Sequence, residues 1–161
     1  MATAAVAALC IAGTAEAGTR IDSNELLTAQ NKYRSELGLP PLRWSASLAQ
    51  SAQQWAGELA KIDQLKHSDA PGVGENLAMW STGQASLTKL VGIWGAEKQY
   101  FVHADFPDVS TTGNWQAVAH YSQLIWRQTK DVGCGIATGG GNDFLVCQYS
   151  PRGNIIGEKV Y

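Results

Sequence analysis

Two cysteines near the end of the chain, Cys134 and Cys147, bracket the tetrapeptide Gly139-Gly140-Gly141-Asn142, and no other feature restricts the fold as much. Val132, Cys134, Ile136 and Thr138 alternate with other residues at the period of a strand, and Phe144 to Tyr149 is rich in β-formers. The glycines between them suit a tight reversal. With those four residues as the loop, Thr138 faces Asp143 and, counting outward, Cys134 faces Cys147. Directly opposed residues of a non-hydrogen-bonded antiparallel pair have Cα atoms ~4.5 Å apart, near the short end of what a disulfide accepts. The chain is therefore expected to carry a cross-linked hairpin. A bridge closing a loop of this size contributes ~3 kcal/mol, chiefly by restricting the unfolded chain, and a bridged thiol is no nucleophile.

Upstream of the hairpin the period changes to that of helices. Asp22 and Glu25 have capping-box spacing, and Leu26, Ala29, Tyr33 and Leu37 recur at helical intervals before Gly38 and Pro40-Pro41, which predicts a helix over about 23–37. Ser45 caps a second, with Leu48, Ala52, Trp55 and Leu59 on one face to about Lys61. The interval from Lys66 to Gly83 holds Pro71, Gly72 and Gly74 and reads as irregular. Ser86 opens a third helix with Leu87, Leu90, Val91, Trp94 and Phe101 on its apolar stripe. A fourth, after Gly113-Asn114, carries Val118, Tyr121, Leu124 and Ile125. With 161 residues, 45% of them apolar, this is the material of one globular domain. A net charge of −2 and the lack of any Lys/Arg-rich run argue against nucleic acid as a partner. No stretch reaches the ~18 apolar residues of a membrane span.

The N-terminal segment stands apart. Ala2 to Gly13 is an uncharged, Ala-rich run followed by the small-x-small site Ala15-Glu16-Ala17, although it lacks the usual basic start. Residues 1–17 are read as a signal peptide and 18–161 as the domain, so the product is secreted, or periplasmic in a bacterium. Cys10 would leave with the signal. The mature chain would then hold two cysteines, an even count that suits one disulfide in an exported protein.

Chemistry must come from histidines and carboxylates. Glu97 lies three residues after Trp94 and four before Phe101, on the apolar face of the third helix, where an unpaired carboxylate is costly. His120 lies in the apolar run Val118 to Trp126, where a histidine is more often a satisfied core residue than a ligand. His67 and Glu75 belong to the irregular stretch His67 to Leu77, and loops carry function more often than cores do. Ser68 neighbours His67 with no guarantee of facing it. On a helix, Ser122 would point ~200° away from His120.

Four segments around these residues resemble a known family. They are His67-Ser68 with Gly74-Glu75-Asn76-Leu77; Trp94-Gly95-Ala96-Glu97 with Tyr100; His120-Tyr121-Ser122-Gln123-Leu124-Ile125-Trp126; and Phe144-Leu145-Val146-Cys147-Gln148-Tyr149-Ser150-Pro151-Arg152-Gly153-Asn154. In order and separation they resemble the CAP superfamily of cysteine-rich secretory, antigen 5 and pathogenesis-related 1 proteins, also called the SCP domain. Ala119 replaces the Gly that many members carry before the histidine, and one disulfide stands where plant and animal members have several. The resemblance implies an α+β fold, an α-β-α sandwich with a small central antiparallel sheet between helical layers. It also implies that His67, Glu75, Glu97 and His120 converge on one cleft, where His67 and His120 can hold a divalent ion, often zinc, with the carboxylates nearby. Two histidines alone make a weak, open, water-rich metal site, since structural zinc takes four protein ligands and catalytic zinc three. His103 matches none of the segments and is read as exposed and incidental.

Three functional classes follow from the resemblance. Fungal and plant members are associated with sterol and fatty-acid binding, and the counterpart of their mobile aromatic loop here is Phe101 to Pro107, with Phe101, Val102 and Phe106 as the lipid contacts; the same phenylalanines could simply close the core. A metal-assisted hydrolase, protease or esterase, would use the tetrad with Glu75 as base, but no nucleophile or oxyanion donors can be named. An exported defence or virulence effector would act by protein contact. The weight falls on a lipid- or surface-binding module rather than an enzyme.

Overall fold

A computed structural model describes residues 21–161. The expected signal peptide, Cys10 and the start of the mature chain lie outside the described residues.

Helix α1, Ser23–Ser35, starts where the Asp22 carboxylate accepts from the backbone N–H groups of Asn24 and Glu25. Strand β1 is the dipeptide Arg43–Trp44. Helix α2, Ala46–Ile62, is capped by Ser45 through Leu48 N–H and ends at Asp63 in the left-handed region. Strand β2, Gly74–Ser81, follows, and then helix α3, Leu87–Ala96, capped by Ser86. Two 3-10 turns, Glu97–Tyr100 and Trp115–Val118, lead to the short helix α4, Ala119–Leu124. Strands β3, Asp131–Gly139, and β4, Asn142–Ser150, form the terminal hairpin.

Several sequence expectations need correction. The stretch read as irregular contains all of β2, whose apolar residues Leu77, Ala78, Met79 and Trp80 run together instead of alternating. The α-helical part of the third helix stops at Ala96, so Phe101 lies outside it, and Glu97 belongs to the tighter turn that follows. The fourth helix is short because Asn114 caps a 3-10 turn first. The hairpin keeps its expected register, with Thr138 opposite Asp143 and Cys134 opposite Cys147, but the ladder continues to Gly139 and Asn142. Only Gly140 and Gly141 turn, at φ 58° and 84°, as a two-residue loop with both central φ angles positive requires. The disulfide closes with Cα atoms 4.1 Å apart.

The sheet order is β1-β3-β4-β2, antiparallel except for the parallel pair β1 and β3. Alternation along the strands sends side chains to two helical layers. Leu77, Phe144 and Val146 pack with Ala52, Ala56 and Leu59 of α2 on one face. Val132, Cys134, Leu145, Cys147 and Tyr149 pack with Leu26 of α1, Leu90, Val91 and Trp94 of α3, and Tyr121 and Leu124 of α4 on the other. The molecule is thus the α-β-α sandwich expected.

Helix α2 rests on β3 almost without intervening side chains. A methyl group at Gly133 would lie 2.6 Å from the Leu48 carbonyl carbon, at Gly135 2.7 Å from that of Ala52, and at Gly139 2.7 Å from that of Ala60. Past the end of β1, Gln53 of α2 stands in for a neighbouring strand: its amide donates to Ile136 C=O at 2.8 Å and accepts from Ile136 N–H at 3.0 Å. On the opposite layer the guanidinium of Arg34, fully buried, donates to the carbonyls of Pro40, Leu124, Trp126 and Thr129 at 2.7–3.1 Å. Burial lowers its pKa to about 10, so it remains charged at neutral pH.

The glycines give a prediction of opposite signs. Gly57, inside α2 with open space where a Cβ would project, should accept alanine with a gain of ~1 kcal/mol. Gly135→Ala must push α2 off the sheet and should cost ~1–3 kcal/mol. Urea denaturation of the two variants checks both.

Candidate functional site

The site is organised by the first residues of β2. At Gly74 a Cβ would meet the Gln123 side-chain amide carbon at 2.8 Å, so a larger residue there would have to displace that buried amide. Glu75 and Asn76 then point to opposite faces of the sheet. On the α2 side the Glu75 carboxylate is 7% exposed and accepts four hydrogen bonds. His67 Nδ1 and Ser68 N–H donate to Oε1, both at 2.9 Å, and Ser68 Oγ and Gln148 Nε2 donate to Oε2 at 2.6 and 3.0 Å. Gln148 is the cross-strand neighbour of Glu75.

On the other side Asn76 Nδ2 donates to the His120 carbonyl at 3.1 Å and towards the Tyr149 hydroxyl at 3.4 Å. That hydroxyl donates to Gln30 Oε1 at 2.7 Å, and Gln30 Nε2 reaches the sulfurs of Cys134 and Cys147 at 3.6 and 3.8 Å. Burial holds the Tyr149 phenol well above its ordinary pKa, so it is a fixed neutral donor. A buried chain of hydrogen bonds therefore runs from the disulfide to the backbone of His120.

Glu97 follows α3 and caps α4. Its Oε2 accepts from the N–H groups of His120 and Tyr121 at 3.0 Å, and its Oε1 accepts from His120 Nδ1 at 2.6 Å. A carboxylate at a helix start is favoured by the free N–H groups there. The His120 ring also stacks on Trp94, whose indole N–H is fixed by Leu77 C=O at 2.9 Å.

The two histidines are thus held alike, each Nδ1 bonded to a carboxylate and each Nε2 without a hydrogen bond among the described residues. A carboxylate on Nδ1 selects the tautomer in which Nε2 is the free nitrogen. The hydrogen bond to Glu75 raises the His67 pKa against the opposing effect of burial. Burial acts to raise the Glu75 pKa, but the hydrogen bonds from His67, Ser68 and Gln148 outweigh it and hold the carboxyl below its ordinary range.

His67, Glu75 and His120 line one cleft of about 460 Å³. Glu97 does not line it: it sits behind His120 and acts on the cleft through that ring. No group of three or more His, Cys, Asp or Glu side chains among the described residues is arranged to hold an ion. Ser68 spends its hydroxyl on Glu75, and Ser122 spends its own on Ala119 C=O and Asn154 Oδ1. In the loop expected to contact lipid, Phe106 is 4% exposed and packs on Trp115 and Trp126, and Phe101 lies between Tyr121 and Tyr161; Val102 is exposed. His103 is exposed as expected but not incidental, since it stacks on Tyr161 and bonds its carbonyl at 2.7 Å. Gln148, Asn76 and Asn154 were not singled out from the sequence. Strand alternation could have found the first two, placing Gln148 on the face of Glu75 once β2 was recognised.

The model of the cysteine-rich secretory protein family, CAP, matches residues 27–149. Pathogenesis-related protein 1C of Nicotiana tabacum is 37% identical over 138 residues, covering 85% of this chain and 79% of that protein. Venom allergen 5.02 of Dolichovespula maculata is 31% identical over 167 residues, covering 87% and 76%. The solved structure of BmVAL-1 is similar at a TM-score of 0.72 and 27% identity, over 90% of this chain and 85% of that one.

The two pKa shifts fix a pH window. The raised His67 contributes stability that is complete below its ordinary pKa of 6.5 and is lost as pH rises through its higher folded value. The lowered Glu75 contributes stability that is present above 4.5 and is lost as pH falls through its lower folded value. Both contributions are therefore complete between those two pH values. Glu75→Gln should bring the His67 titration down towards 6.5, read by NMR of the ring protons.

Proposed function

This chain belongs to the cysteine-rich secretory protein family, the CAP proteins, and from that premise we propose that it is an exported, defence-related binding protein whose working surface is the cleft between His67 and His120. The observation that carries this reading is the matched pair of imidazoles, each oriented through Nδ1 by a carboxylate with Nε2 left free. The plant relatives' names, pathogenesis-related protein 1, support the defence assignment. The buried disulfide suits export.

The donor set fits a divalent ion of zinc's type as a partial one. His67 and His120 would supply two neutral imidazole nitrogens, with the other positions left to water or ligand, so the ion is loosely held and exchangeable. Bound there, it would act as a Lewis acid towards an oxygen of the ligand. Glu75 and Glu97 serve as orienting groups. With four hydrogen bonds accepted by one and three by the other, neither carboxylate is free to work as a general base. That supports binding over hydrolysis. The core packing of Phe101 and Phe106 supports the cleft, rather than the 101–107 loop, as the place where a ligand is held.

Titrating zinc into the metal-free protein should raise its melting temperature progressively, as binding to the folded state alone demands. In His67→Ala/His120→Ala the rise should vanish. A rise of equal size in the double variant overturns the metal assignment.

A further inference from the structure

The groups most used in holding the cleft together are not those best placed to hold a ligand. Glu75, Glu97, Ser68 and Ser122 spend their hydrogen-bonding capacity on one another and on the backbone. Asp69 and Arg152, which line the same cleft from different segments, make no side-chain hydrogen bond or ion pair among the described residues. Trp115 lines it from a third segment, 40% exposed and braced from behind by Phe106 at 5.3 Å between ring centroids.

The backbone adds a second observation. Asp63, Asp69 and Asn154 have positive φ, at 50°, 54° and 55°. Asp63 ends α2, where such a conformation is ordinary. Asp69 and Asn154 end no helix, and both line the cleft. Asp and Asn are the non-glycine residues that adopt this region most readily, and here they turn the chain where it lines the cleft.

A free carboxylate, a free guanidinium and a braced indole narrow the chemistry of the occupant. A sterol or fatty acid would need a predominantly apolar lining, which these residues do not supply. A polyanion would need an excess of cations, and here Asp69 offsets Arg152 in a chain of net charge −2. Sugars meet both conditions: each hydroxyl donates and accepts, and the C–H face of a pyranose is an apolar plate the width of an aromatic ring. We propose that the cleft takes a neutral oligosaccharide, one pyranose ring lying on Trp115 and its hydroxyls shared between the Asp69 carboxylate and the Arg152 guanidinium. The proposal rests on the reading of this cleft as a binding site, and needs no metal in it.

The test uses cellotetraose, laminaritetraose, chitotetraose and mannotetraose, with a heparin tetrasaccharide as the polyanionic control, each measured by saturation-transfer NMR and calorimetry in EDTA and again in zinc. At least one neutral sugar should bind in EDTA, with transfer to ring protons. Trp115→Ala should weaken it about tenfold, the equivalent of ~1.4 kcal/mol. Because Trp115 also packs on Phe106, the exposed Asp69→Asn and Arg152→Gln variants provide independent checks, each expected to weaken binding at an unchanged melting temperature. Silence from all four neutral sugars, binding confined to the heparin fragment, or affinity unchanged in all three variants overturns the proposal. Zinc stabilisation lost in the double histidine variant while the sugars stay silent would sink the saccharide alone; sugar binding without zinc stabilisation would sink the metal alone.

Discussion

A buried, charged guanidinium whose hydrogen-bond partners among the described residues are all backbone carbonyls sets the geometry of the helical layer that carries His120. Burying such an ion is tolerable only if it is well hydrogen-bonded, and Arg34 makes four hydrogen bonds to backbone carbonyls from the turn after α1, the end of α4 and the segment leading into β3. Because those carbonyls lie on separate stretches of chain, none can move without exposing an unpaired charge. Helix α4, six residues long, is too short to be stable by itself. It is fixed at its end by Arg34 and at its start by Glu97, and His120 lies between these anchors.

The other half of the cleft depends on a strand. Because β2 is an edge strand, its first residues can reach round both faces of the sheet, and alternation gives Glu75 to the His67 loop and Asn76 to the His120 backbone. One dipeptide thereby ties the His67 loop to the segment that carries His120. The glycine track on β3, which brings α2 down onto the strand backbone, keeps the α2 layer at a fixed height relative to that dipeptide.

How much of this was legible depended on the range of the interaction. The caps at Asp22, Ser45 and Ser86 and the periodic stripes of α1 and α2 are local, and they placed those helices correctly. The hairpin was legible because Gly140-Gly141 lies between strands adjacent in sequence, and the cysteine register followed. Strand β2 was not, since Pro71 and Gly72 precede it and Gly74 opens it, its apolar residues do not alternate, and its partner is the last strand of the chain. The histidine and glutamate set was found through resemblance in the surrounding words, not spacing. Nothing local could have said that Glu97 would stand behind His120 instead of beside it. The glycines at 133 and 135 carried no signal by themselves, because a missing side chain announces a close approach only once the approaching helix is known.

The disulfide does more than shorten the unfolded chain. Its two sulfurs accept from Gln30, whose amide oxygen receives the Tyr149 hydroxyl, and the chain ends on the carbonyl of a cleft histidine. The cross-link is accordingly joined to the cleft as well as to the scaffold. The covalent bridge holds both sulfurs where the Gln30 amide reaches them, so the far end of that relay is tied to a cross-link and not to two independent side chains.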